Sequence, residues 1–150
     1  MDTTTMNDPK AMLYFALKYA KEGYSIFPLY WIKEDGGCSC PKGKACGKSS
    51  GKHPLTPNGF KDASSDPEQI RQWWTQNPYA NIGFPTGVKN DLTILDVDGE
   101  EGVQALERFA AEGKVLPETR TVITGREQGK HLYFTYTPRF LKTVLRKPFL

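Results

Sequence analysis

Two periods of apolar residues run along this chain of 150 residues, one typical of helices and one typical of strands. The helical period predicts helices over residues 9–22, 67–76 and 102–113. Short runs of apolar, β-branched and aromatic residues predict strands at 24–31, 81–87, 91–98, 119–125 and 130–136, with the last two forming a hairpin. This mixed order indicates an α+β or α/β fold built on one sheet.

The strand at 91–98, which we expect to be the central strand, is mostly apolar but ends in Asp96 and Asp98. Because side chains alternate along a strand, both carboxylates leave the same face, about 7 Å apart. Charge at the end of a buried strand is costly unless something compensates it, and a hard divalent cation would do so. In the alternative interpretation, Asp98 only caps the next helix and Asp96 is partly solvated.

Residues 34–59 break both periods and form a long loop rich in Gly, Lys and Ser. All three cysteines and one of the two histidines lie in it: Cys38, Cys40, Cys46 and His53. An odd, clustered set argues against disulfides, whereas Cys3His is a common structural zinc site. We therefore predict a structural zinc; the alternative is a flexible loop with free thiols. Neighbouring lysines suit a phosphate backbone: Lys42, Lys44, Lys48 and Lys52.

Composition and charge narrow the function classes only slightly. The net charge of +3 is compatible with a polyanionic partner but does not require one. No apolar run approaches the roughly 20 residues of a membrane span, and the N-terminus has no signal-peptide character. We expect a cytoplasmic protein without a membrane partner, with residues 1–150 forming one domain. Its oligomeric state does not follow from the sequence.

His131 lies at the start of the strand at 130–136. A lone histidine on a strand is more often structural than catalytic. Here it follows a polar turn that contains Arg126 and borders Lys130, and both side chains suit phosphate oxygens. Backbone amides near Gly125 and Gly129 would add to such an anion cradle. We therefore expect Arg126, Gly129 and Lys130, together with Lys52, to contact the phosphate groups of a ligand.

Two kinds of phosphate chemistry compete for the acidic pair. A haloacid-dehalogenase-type phosphatase also uses Asp-x-Asp-Gly-Thr after an apolar strand, but here Glu100 stands where the threonine belongs. That fold normally starts with the motif, and it gives the cysteine loop no role. In two-metal nucleotidyl transfer, paired carboxylates hold the cations that activate the attacking hydroxyl and stabilise the leaving pyrophosphate.

Six separated segments together resemble one family. They are ALKYAKEGYSIFPLY, the cysteine loop closing on GKHP, GFKDASSDPEQIRQWW, NIGFPTG, LDVDGEEG and TGREQGKHLYF. In this order, over about residues 11–135, they resemble the N-terminal part of bifunctional primase-polymerase (prim-pol) domains from phages, plasmids and other mobile elements. These domains belong to the archaeo-eukaryotic primase superfamily.

The resemblance implies a compact α/β catalytic core with an RRM-like sheet. It implies a DNA primase and DNA polymerase that uses Mg²⁺ or Mn²⁺ to join nucleoside triphosphates on a single-stranded DNA template, with a replicative helicase as a possible partner. By its motifs, Asp96 and Asp98 bind the catalytic metal, and His131 contacts the phosphates of the incoming nucleotide. The zinc ligands are then Cys38, Cys40, Cys46 and His53.

The sequence departs from the family pattern at two places. The usual Gly-Gly-His-His is replaced by Gln-Gly-Lys-His at residues 128–131. No Asp or Glu follows His131, whereas the family carries a third carboxylate on a later strand. We therefore expect the C-terminal part of the domain to be missing. The alternative function is a catalytically incomplete, zinc-stapled module that binds single-stranded nucleic acid or nucleotide.

Overall fold

The computed structural model describes residues 8–124 and 128–136. The chain divides into two compact units, Met1–Pro85 and Thr86–Leu150. Over the described residues, unit 1 has two α-helices and a two-stranded antiparallel sheet, and unit 2 has one α-helix and a three-stranded antiparallel sheet. The predicted α+β class is therefore confirmed. The expectation of a single sheet was wrong for the described residues, because the two strands of unit 1 form a sheet of their own and do not pair with the strands of unit 2. Within the described part of the chain, no helix is both long and apolar enough to cross a membrane.

Two helices of unit 1 each begin at an Asp-Pro pair. Helix α1 is Pro9–Lys21 and helix α2 is Pro67–Gln76. In each case the N-cap aspartate accepts a hydrogen bond from a backbone N–H two residues ahead, and proline occupies the first turn. This satisfies one of the orphan donors at the helix start.

The core of unit 1 lies between these helices and a two-stranded sheet. Strand β1 (Phe27–Leu29) pairs antiparallel with β2 (Asn81–Gly83). Trp74 on α2 is 1% exposed, and its indole N–H donates to the carbonyl of Ala80 at 3.0 Å. The fully buried side chains around it come from α1, α2 and the strand ends, and they are Ala16, Ile26, Ile70 and Ala80.

Unit 2 contains β3 (Leu92–Val97), α3 (Gly99–Ala111), β4 (Thr121–Ile123) and β5 (Lys130–Thr135). Its sheet is antiparallel throughout in the order β3-β5-β4, so the predicted hairpin of the last two strands is confirmed. The expectation that the strand at 91–98 is central was wrong for the described residues. There β5 lies in the middle and β3 at an edge, because β3 pairs with β5 alone.

Helix α3 packs against β3 of this sheet. Val97 is 2% exposed, and a Cβ added at Gly102 would lie 3.1 Å from its side chain. Helix and strand approach this closely because Gly102 has no side chain. Since alternate residues of a strand face opposite sides, Asp96 lies on the face away from this contact.

We expect Trp74→Ala to lower the free energy of unfolding by about 3–5 kcal/mol, because it leaves a large cavity and an unpaired Ala80 carbonyl. The measurement is urea unfolding followed by circular dichroism. The matched control is Trp73→Ala at the half-buried neighbouring position, where the loss should be clearly smaller. Equal losses would contradict the assignment of Trp74 to the core.

Candidate functional site

The pairing of β3 with β5 brings Asp96 and His131 together. They are direct partners in the register, and the His131 Nε2 atom lies 3.4 Å from the Asp96 Oδ1 atom. The Asp96 side chain is 62% exposed and that of His131 is 36% exposed, so both are open to a ligand. The sequence placed these residues on separate strands; the structure makes them one cross-strand pair.

Asp98 lies just beyond the end of β3, at the N-cap position of α3. Its backbone is extended, with φ −116° and ψ 117°, so the strand alternation continues and points Asp98 to the same side as Asp96. Its side chain makes no capping hydrogen bond to the helix. The alternative in which Asp98 serves only as a helix cap therefore lacks the contact that it requires.

We call the end of β3 that carries Asp96, together with the adjoining Asp98, the acidic edge of the sheet. It offers carboxylate oxygens, which are the ligands that Mg²⁺ and Mn²⁺ prefer, and the His131 imidazole lies alongside. The side chains of Asp96, Asp98 and His131 do not form a tight cluster of potential metal ligands. Over residues 8–124 and 128–136, only the cysteine loop contains such a cluster. Like charges repel, so a cation is needed to hold two carboxylates at short distance. The donor types fit such a cation.

The other predicted phosphate contacts are not all brought to this edge. Lys130 is the register partner of Val97, so it belongs to the opposite face of the sheet from His131. The carbonyl of Gly129 accepts a hydrogen bond of 3.0 Å from the Thr124 N–H and closes the hairpin turn. Arg126 lies outside the described residues.

The cysteine loop in unit 1 does form a tight cluster. The ligand atoms of its four predicted ligands all lie within 4.8 Å of one another, and the set is Cys38, Cys40, Cys46 and His53. The His53 Nε2 atom is 3.6 Å from the Cys38 Sγ atom and 3.4 Å from that of Cys46. Tetrahedral zinc with ordinary bond lengths separates a sulfur and a nitrogen ligand by about 3.5 Å. The geometry therefore fits zinc.

Short bridges to the strand region hold this loop in place. Leu29 pairs with Pro54 on one side, and Ile32 pairs with Cys38 on the other. The side-chain amide of Asn81 donates to the carbonyls of Tyr30 and Gly51, at 3.3 and 3.0 Å. Asn81 was missed by the sequence reasoning; its only signal was a polar residue at the start of a short apolar strand.

The thiol of Cys38 is prepared for metal binding. Burial by itself would raise its pKa, but hydrogen bonds from the backbone N–H groups of Cys40 and Gly51, and from His53, outweigh burial and lower the pKa to about 6. At neutral pH the thiolate, which is the metal-binding form, therefore predominates at Cys38. Burial instead raises the pKa of the Cys46 thiol, as expected where several thiols share one site.

The family model for the bifunctional DNA primase/polymerase N-terminal domain matches residues 16–148. The chain belongs to this prim-pol family. Comparison with curated proteins and with solved structures found no match. Prim-pol membership leaves the phosphatase alternative without support. It also makes the acidic edge of unit 2, rather than the closed cysteine cluster, the candidate active site, because a four-ligand zinc has no open position for substrate.

We expect the prim-pol chain to carry about one equivalent of zinc, measured by elemental analysis of the purified protein. A Cys38→Ser/Cys40→Ser variant should lose this zinc, because two of the four ligands are removed. The control is Ser49→Ala, an exposed position of the same loop, and it should keep the metal. Zinc-free wild-type protein, or a double variant that retains zinc, would contradict the assignment.

Proposed function

We propose that this chain is a DNA primase/polymerase domain that joins nucleoside triphosphates on a single-stranded DNA template with the help of Mg²⁺ or Mn²⁺. Family membership supports the general class, a primase/polymerase-like nucleotidyl transferase. The observation that carries the specific proposal is the Asp96–His131 pair, with 3.4 Å between Nε2 and Oδ1. In this proposal the carboxylate is the cation ligand and the neighbouring imidazole binds phosphate, both on an exposed edge of the sheet.

In this proposal Asp96 and Asp98 hold the catalytic cation. A divalent ion bound there would lower the pKa of the attacking hydroxyl and offset charge on the leaving pyrophosphate. His131 donates a hydrogen bond from its ring to a phosphate oxygen of the incoming nucleotide, and its cross-strand position keeps the ring beside the carboxylate. The protein's share of the chemistry is thus positioning and charge compensation.

Other residues contact the nucleotide or the template in the same proposal. They are Lys52, Arg126, Gly129 and Lys130. Lys130 belongs to the opposite face of the sheet from His131, the face on which Val97 packs against α3, so its position speaks against a contact with a triphosphate held beside His131. The zinc of the cysteine loop has a structural role, because its four protein ligands leave it closed.

The biological setting belongs to the proposal as well. We propose that both units form one prim-pol domain, since the family match extends across the division between them. We propose that it acts in the cytoplasm, in the replication of a phage, plasmid or other mobile element, with a replicative helicase as partner. These points rest on the family resemblance.

A second candidate function is a zinc-stapled module that binds single-stranded nucleic acid or nucleotide without catalysis. Two observations favour it. Residues 36–61 contain five lysines and no Asp or Glu. The acidic edge is also less tightly clustered than the zinc ligands are.

A primer-extension assay with Mn²⁺ or Mg²⁺ on a single-stranded template separates the two functions. We expect Asp96→Asn and Asp98→Asn each to reduce synthesis on the order of 100-fold or more, because each removes a charged metal ligand, while template binding persists. The control is Asp91→Asn, an exposed aspartate whose φ of 49° asparagine adopts easily. It should leave synthesis unchanged.

Three outcomes are informative. Loss of synthesis in the two acidic-edge variants alone supports the enzyme. Template binding with no synthesis by any protein, wild type included, selects the binding module. Unchanged synthesis in Asp96→Asn removes the acidic edge from the mechanism.

A further inference from the structure

Two aromatic rings lie side by side next to the cysteine loop of unit 1. The ring centroids of Trp31 and Tyr79 are 6.4 Å apart, and the ring planes are inclined at 39°. Trp31 is half-buried and packs against the core, whereas Tyr79 is 47% exposed. We call Trp31 and Tyr79 the aromatic platform. The Trp31 ring is held against the core, and the exposed Tyr79 ring lies beside it.

The backbone explains why the two rings meet. In the β1–β2 register Leu29 pairs with Asn81, and continuing that register by two residues sets Trp31 opposite Tyr79. Trp31 is also fastened to the cysteine loop. Its N–H donates to the Ser39 Oγ atom at 3.0 Å, and the Ser39 N–H donates to the Trp31 carbonyl at 2.8 Å. Organisation of the loop therefore also positions the platform.

The stretch at residues 36–61, which includes most of the cysteine loop, carries an excess of positive charge. The lysines of the stretch at 36–61 are all exposed, and they are Lys42, Lys44, Lys48, Lys52 and Lys61. The pairing of Leu29 with Pro54, continued by two residues, sets Lys52 beside Trp31. The two segments are still in contact there, because a Cβ added at Gly51 would lie 3.2 Å from the Ile32 side chain.

An exposed aromatic ring near a lysine, on a loop with several more exposed lysines, matches one ligand chemistry especially well. Unpaired bases stack on aromatic side chains regardless of sequence, while lysines bind the neighbouring phosphates. A duplex keeps its bases stacked on one another, so it offers phosphates and base edges but no free base face for the ring to stack on. An acidic peptide need not supply any ring. The combination therefore favours single-stranded nucleic acid.

We propose that the aromatic platform and Lys52 form a template subsite on unit 1, in which an unpaired base stacks on Tyr79 and Lys52 contacts an adjacent phosphate. This inference deepens the proposed function, on which it rests for the identity of the strand as template. It assigns the cysteine loop a second task besides holding zinc, since the loop fixes Trp31 from one side and carries the cation.

The test is fluorescence anisotropy of a labelled oligothymidylate with the zinc-loaded full chain. Tyr79→Ala should weaken binding about 5-fold to 100-fold, the range expected for losing one stacked base. Tyr79→Phe should bind like wild type, because it keeps the ring. The matched control is Tyr14→Ala on α1, where an even more exposed tyrosine, at 62%, should prove dispensable.

Salt dependence tests the cation separately. Lys52→Gln should reduce the slope of log affinity against log salt by about 0.7, the value for one phosphate contact on a single strand. Lys10→Gln, at an exposed position on α1, should leave the slope unchanged. If Tyr79→Ala proves unstable by circular dichroism, Tyr79→Leu keeps most of the apolar volume, lacks the aromatic face and should show the same weakening.

Several results would overturn the subsite. One is wild-type affinity for the oligothymidylate in folded Tyr79 variants that lack the ring. Another is a salt dependence of binding that Lys52→Gln leaves unchanged. The third is a duplex of equal length that competes for binding as well as the single strand does. Primer extension keeps this failure distinct from failure of the enzyme. If the wild type synthesises DNA and Tyr79→Ala binds the single strand normally, the subsite is refuted but the enzyme proposal stands. If binding depends on Tyr79 but no protein synthesises DNA, the enzyme proposal is refuted and the binding subsite stands.

Discussion

The antiparallel register between β3 and β5 is the constraint on which the candidate active site depends. It sets Asp96 opposite His131, and a slip of one residue would carry the imidazole to the other face of the sheet. Burial fixes the register, because Val97 must lie against Gly102 of α3 while its neighbour Asp96 stays on the exposed side. Packing on one face of the sheet thus fixes the positions of Asp96 and His131 on the other face.

The cysteine loop obeys a different constraint. It is too polar to fold by burying apolar surface, so its order comes from four converging ligands and from short bridges to β1 and its extension. The same extension carries Trp31, and Asn81 joins β2 to the loop through two carbonyls. The predicted zinc site and the surface beside it are therefore joined by hydrogen bonds within unit 1. A metal-stapled loop can hold exposed side chains where an unstapled one could not.

Local signals in the sequence predicted local structure well. Helix α2 has the predicted bounds and the β4–β5 hairpin is confirmed, because capping residues and turns act over a few residues. Strand order escaped prediction, since alternation reveals the faces of a strand but not its partner. Side chains alternate along a strand, which placed Asp96 and Asp98 on one face of the sheet. The same rule places the neighbours Lys130 and His131 on opposite faces, so their separation could have been predicted from the sequence. The contact between Tyr79 and Trp31 could not be predicted, because it depends on the pairing of β1 with β2, which lie far apart in the sequence.

The central claim is that the acidic edge and His131 bind one cation–triphosphate complex. The chain has only two histidines, so proton NMR resolves their rings and a His131→Gln variant assigns the signals. Added Mn²⁺ with a nucleoside triphosphate should broaden the His131 ring resonance by paramagnetic relaxation, and this broadening should disappear in Asp96→Asn/Asp98→Asn. A His131 signal that stays sharp in the wild type, or broadens equally in the double variant, would contradict the account.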